Sequence, residues 1–76
     1  MTLYVAELYD DRHPKDYVER SNFKHSDPES ALYDARHMLN GWADPDDGVR
    51  PLHLCSRIMK IETDKDGKET ISEYIG

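Results

Sequence analysis

Residues 26–48 hold a helix whose two ends are written into the chain, and that helix constrains everything else the sequence can do. Asp27 stands before Pro28, an N-cap followed by proline in the first turn, where its missing N–H costs nothing. Ser26 and Glu29 have the spacing of a capping box. Ala31, Leu32, Ala35, Met38, Leu39 and Trp42 then fall on one stripe at about 100° per residue. Glu29, Tyr33, Arg36, His37 and Asn40 fall opposite. Gly41 is the expected C-cap, and Asp44-Pro45-Asp46-Asp47-Gly48 forbids continuation. An amphipathic helix must bury its stripe against something, and the flanking segments read as strands.

Leu3-Tyr4-Val5-Ala6-Glu7-Leu8-Tyr9 is short, rich in β-formers and apolar on both alternating faces, the pattern of a strand inside a sheet. Asp10 to Lys15 is a turn around Pro14. Residues 17–24 are polar enough to be an edge strand, with Tyr17 and Phe23 on one face and Val18 on the other; they are also readable as a loop. Residues 49–62 read as a long strand whose apolar residues occupy both parities, which predicts a bulge or bend near Ser56. Asp64-Lys65-Asp66-Gly67-Lys68 is a hairpin connection, and Thr70 to Ile75 is the last strand. The expected fold is α+β: one amphipathic helix packed on a three- or four-stranded antiparallel sheet, in the order ββαββ or βαββ. Residues 1–76 read as one domain, with no repeat or linker.

Composition narrows the function. The chain is 37% apolar, below the ~45–50% common in globular domains, so nearly every large apolar residue is needed in the core or in a dimer interface extending it. Little is left to wall a deep catalytic cleft. Sixteen Asp and Glu against ten Lys and Arg give a formal charge of −6. The cationic pairs Arg12/Lys15, Arg20/Lys24 and Arg57/Lys60 are diluted by carboxylates, which argues against direct nucleic-acid binding. An acidic excess suits a protein partner with a basic surface, and equally plain solubility. Cys55 is the single cysteine, so no internal disulfide forms. The N-terminal segment reads as neither a signal peptide nor a membrane span, and the expected location is cytoplasmic.

Candidate chemistry is thin. Glu62, Asp64, Asp66, Gly67 and Glu73 have the spacing of a calcium-binding loop, but the flanks are β-patterned where that loop needs helices. His53 and Cys55 would share a strand face, yet His13, His25 and His37 are scattered and complete no zinc set. Cys55 reads as a small core residue. No phosphate loop, serine elbow or paired-cysteine motif is present, so the expectation is no enzyme, no metal site and no cofactor.

The surface with the best functional signal is the outer helix face, where Tyr33 and His37 are four residues apart and Arg36 flanks them. Aromatics and arginine are enriched at the centres of protein interfaces. The acidic loops, Asp10 with Asp11 and Asp44, Asp46 and Asp47, form a second candidate surface. In size, charge and layout, including the helix from Pro28 and the strand Arg57-Ile58-Met59-Lys60-Ile61-Glu62, the chain resembles the small inhibitor proteins of bacteriophages and mobile elements, anti-CRISPR proteins among them. That resemblance implies an inhibitor that binds a host nucleic-acid-handling complex and offers carboxylates to its Lys and Arg clusters. The alternatives are a small-ligand or metal-binding domain using His53, Cys55 or the 62–73 loop, and a structural accessory domain. The protein is expected to be a monomer or a homodimer.

Overall fold

A computed structural model describes residues 1–75. The chain runs β1 (Thr2–Asp10), β2 (Glu19–Arg20), α1 (Pro28–Gly41), β3 (Leu54–Thr63) and β4 (Glu69–Ile75). The strands form one antiparallel sheet in the order β2-β1-β3-β4, with α1 packed across β1 and β3. This is the α+β fold expected, in its ββαββ form. The apolar run at residues 3–9 lies inside the sheet because it is covered on both faces.

Toward the helix, Ala6 and Ile58 meet Ala31 and Ala35, with Tyr4 and Met38 at the margin. The two helix alanines are fully buried, and their small size lets the helix backbone come close to the sheet. Leu32 and Trp42, placed on the buried stripe by their spacing, remain 41% and 44% exposed. The stripe is therefore narrower than the periodicity suggests, since one helix on four strands buries only the residues pointing straight at the sheet. The other sheet face carries Val5, Met59 and Ile61, all buried.

Glu7, on that second face, is fully buried. Its Oε1 accepts from Arg57 Nη2 at 2.7 Å and Nε at 3.2 Å, and its Oε2 accepts from Arg20 Nε at 3.2 Å. The Arg57 guanidinium also lies 4.4 Å from the Tyr9 ring centre and 4.1 Å from that of Tyr74, while Arg20 lies 3.9 Å from Tyr17. Arg57 further donates to the carbonyls of Pro14 (2.6 Å) and Asp16 (3.4 Å). A buried carboxylate thus joins β1, β2 and β3, and through Arg57 it fastens the turn around Pro14 over the sheet.

Several boundaries differ from expectation, each for a local reason. Within residues 17–24 only Glu19 and Arg20 pair as a strand, and the chain rejoins β1 at a bridge between His25 and Tyr4. Between them, Ser21 turns its hydroxyl to Asp34 on the helix, 2.6 Å away. β3 begins at Leu54, because its partner β1 ends opposite it at Asp10 and the Leu54 amide turns back onto the Pro51 carbonyl. The ladder passes through Ser56 without a bulge; the irregularity falls between Lys60 and Ile61, where β4 accommodates Ser72 as an extra residue. Both parities of β3 are apolar because both faces are covered. The hairpin at 64–68 forms as read: Gly67 has φ of 83°, and Asp64 Oδ1 accepts from the amides of Asp66 and Lys68.

At the helix start Asp27 caps alone, accepting from the Ser30 amide and hydroxyl at 2.9 Å each. Ser30, not Glu29, occupies the third helical position, so the Ser26/Glu29 box is not the device used. At the other end Gly41 is the last helical residue and Trp42 is the cap, its amide turned onto the Leu39 carbonyl. The 3₁₀-like closing turn needs no left-handed residue, so the glycine is not required there.

Two outcomes follow for stability. Glu7→Gln leaves two guanidinium groups facing a neutral amide and is expected to cost about 3–5 kcal/mol in urea unfolding, whereas Glu7→Leu with Arg57→Met recovers most of that loss. The Ser30 amide, then its hydroxyl, hold the Asp27 carboxyl below its ordinary value of 3.8. A depressed folded-state pKa gives stability that is present above the unfolded value and lost as pH falls through the folded one. Asp27→Asn, which caps without titrating, should therefore flatten the thermal-stability curve below about pH 4 and leave the neutral limb nearly unchanged.

Candidate functional site

Tyr33, Arg36 and His37 occupy the outer face of α1 and are exposed. One helical turn brings the Tyr33 and His37 rings together edge to face, with centroids 5.0 Å apart and planes at 66°. Across from them stands Phe23, 68% exposed, on the segment between β2 and the helix. The three rings line a groove of about 640 Å³ whose remaining wall includes Asp27, Glu29 and Asp34.

Asp34 organises this groove. Its Oδ2 accepts from Ser21 Oγ at 2.6 Å and lies 3.0 Å from His25 Nε2, a contact that places the imidazole proton on Nε2. Ser21 and His25 bracket Phe23, so one helix carboxylate holds both ends of the segment that presents it. Ser21 Oγ also accepts from the Phe23 amide at 3.1 Å. The result is an aromatic trough rimmed by carboxylates, an environment that favours a cationic side chain through ring quadrupoles and charge together. The positive end of the helix dipole opposes this by about half a charge, less than the carboxylates supply.

The two acidic loops lie at one end of the molecule. The Asp11 amide donates to the His53 carbonyl at 2.9 Å, and the His53 ring meets Asp11 Oδ1 at 2.9 Å. Adjoining grooves, one lined by Asp10, Arg12 and Trp42 and the other by Trp42, Asp44 and Asp47, share Trp42 and Pro51. The carboxylates are not equivalent. Asp10 is clasped by Arg12 through Nε–Oδ1 at 3.0 Å and Nη2–Oδ2 at 2.6 Å. Those bonds, first the side-chain ones, hold the Asp10 carboxyl far below its ordinary range and cancel its charge locally. Asp44 and Asp47, both exposed, each accept from an amide of their own loop through Oδ1. The exposed acidity at this end therefore comes from Asp11, Asp44, Asp46 and Asp47. Trp42, with its Nε1 donating to Glu19 at 3.0 Å, and Leu52, 88% exposed, give the same end apolar surface.

The other candidates are separate. Cys55 is half-buried, with its thiol 3.8 Å from the His53 carbonyl, while the His53 ring turns to Asp11. Along the hairpin, Glu62 accepts from Thr2 and Glu73 lies beside Lys60, so they do not converge with Asp64. Among the described residues no three His, Cys, Asp or Glu side chains are placed so as to hold a metal ion together, and no helix is long and apolar enough to cross a membrane.

Sequence reasoning found the Tyr33/His37 pair and missed its surroundings. Phe23 reads as a strand residue and Asp34 carries no signal in the sequence, because nothing local says that the segment before the helix returns alongside it. No family model, curated protein or solved structure matches this chain.

Tyr33 is 66% exposed and packs on no core residue. Tyr33→Ala is expected to change unfolding free energy by no more than about 0.5 kcal/mol in urea titration, so any loss of binding in that variant is separable from loss of fold.

Proposed function

We propose that the protein is an acidic protein-binding module that engages a partner through its basic surface. The observation that supports this reading is the Phe23/Tyr33/His37 trough rimmed by Asp27, Glu29 and Asp34, the recognition chemistry of a lysine or arginine side chain. Asp44, Asp46 and Asp47 supply a second acidic surface, and the charge of −6 steers a basic partner from a distance. The partner class these features favour is a nucleic-acid-handling complex, whose lysines and arginines are exposed where the nucleic acid would lie. Occupying them blocks the nucleic acid by occlusion, which makes the module an inhibitor. No step of this reading requires a cofactor, a metal or a catalytic group of the chain.

Affinity capture of the tagged full chain from host lysate, washed at low and high salt, tests the reading. A stoichiometric basic partner retained at low salt and released at high salt is the expected result. With that partner in hand, Tyr33→Ala is expected to weaken binding by about tenfold or more. Asp44→Lys/Asp46→Lys/Asp47→Lys is expected to weaken it chiefly at low salt. Unchanged affinity in both variants removes both surfaces from the model.

A further inference from the structure

β4 is an outer strand of seven residues with one side unpaired. The opposite edge, β2, is two residues long and continues into a segment tied to the helix, which leaves β4 as the long open edge of the sheet. Open edges are templates for another strand, and proteins usually blunt them with proline, lysine or a bulge. β4 contains neither proline nor lysine. Its bulge at Ser72 leaves extended segments on either side, Glu69–Ile71 and Glu73–Ile75.

Apolar side chains stand on both faces of the sheet along this edge, among Glu69, Thr70 and Glu73. Ile71 and Tyr74, each 46% exposed, stand on the face of Met59 and Ile61. On the helix face, Ile75 is 40% and Leu32 41% exposed, and they line an apolar groove of about 290 Å³ floored by Ile58. Each carboxylate of the strand has a lysine beside it, Lys60 being shared with Glu62. Lys24 meets Glu69 at 2.6 Å and Lys60 lies 3.6 Å from Glu73.

We infer that β4 pairs with β4 of a second copy of this chain, forming a two-fold dimer with a continuous eight-stranded antiparallel sheet. Charge selects the occupant. A basic segment would find both carboxylates of the strand paired to lysines, whereas a second copy brings the same Lys–Glu pairs and an identical edge. Two-fold pairing of identical edges is antiparallel, as is every other ladder in the sheet. A two-fold axis midway between Ile71 and Tyr74 sets Ile71 opposite the partner's Tyr74 on one face and brings Ile75 and Leu32 to the ends of the junction on the other. The trough and the acidic loops include no residue of β4, and of the trough residues Glu29 alone also borders the β4 groove.

Sedimentation equilibrium of the full chain from micromolar to millimolar concentration tests this inference. The expected mass rises with concentration from 8.9 kDa toward twice that value. Ile71→Lys/Ile75→Lys is expected to weaken association by at least about 100-fold, and Leu52→Lys, at the acidic end, to leave it unchanged. Should the double variant lose its circular-dichroism signal for strand, Leu32→Glu, at an exposed helix position, decides in its place. A wild-type mass fixed at 8.9 kDa up to millimolar concentration, or edge variants that associate like the wild type, overturns the inference. Dissociation by Leu52→Lys overturns it as well.

Discussion

The ion cluster around Glu7 is the interaction on which the second face of this sheet depends. A carboxylate with no exposure in a central strand is a severe desolvation cost unless its oxygens are satisfied, and here three guanidinium nitrogens do so. The arrangement gives specificity more than it gives net stability. Glu7 fixes Arg57 and Arg20, the arginines orient three tyrosine rings, and Arg57 binds two carbonyls of the turn around Pro14. An apolar residue at position 7 would make an equally dry strand, but it would give that turn nothing to dock on. With eight buried apolar residues among those described, a domain this small uses a polar network to place a layer that it cannot cover with hydrocarbon.

The helix shows the complementary solution on the first face. Ala31 and Ala35 replace larger side chains at the contact, so close approach, not side-chain volume, makes the packing. The consequence is that Leu32 and Trp42 are left at the flanks. One borders the open β4 edge, and the other sits between the acidic loops. Economy in the core thus sets what the surface has available for recognition.

Much of the architecture was legible because it is encoded locally. Asp27-Pro28, the helical stripe, Asp66-Gly67 and the doubly apolar run at 3–9 each specify a backbone geometry within a few residues. The errors arose where distant segments decide. β3 was read as beginning near residue 49, yet its start is fixed by where β1 ends. Mixed parity predicts a bulge near Ser56 only where one face is open to water, and here both faces are covered. Two signals were present and unused: Glu7 and Arg57 are each a single charge within an apolar strand, and such charges seek one another when the strands pair. The site was legible only in part. Tyr33 and His37 are neighbours by helical arithmetic, but Phe23 joins them through a hydroxyl and an imidazole bound to Asp34, which no spacing rule anticipates.

That same carboxylate explains how a surface trough in so small a protein can be held ready for a partner. Tyr33 and His37 stand on a helix anchored by Ala31 and Ala35, and Asp34 lies in the same turn as those anchors. From there it fixes Ser21 and His25, on either side of Phe23, while backbone bonds from Ser21 to Ala6 and from His25 to Tyr4 tie the same two residues to β1. The third ring is therefore presented by a segment pinned to the helix and to the sheet at both of its ends. Under the proposed function, a surface assembled this way spends little conformational entropy on binding, since its aromatic walls are placed by the fold before a partner arrives. On the proposed reading the exposed acidic side chains of the 44–47 loop contribute mainly to long-range attraction, and the trough to the discrimination that follows contact.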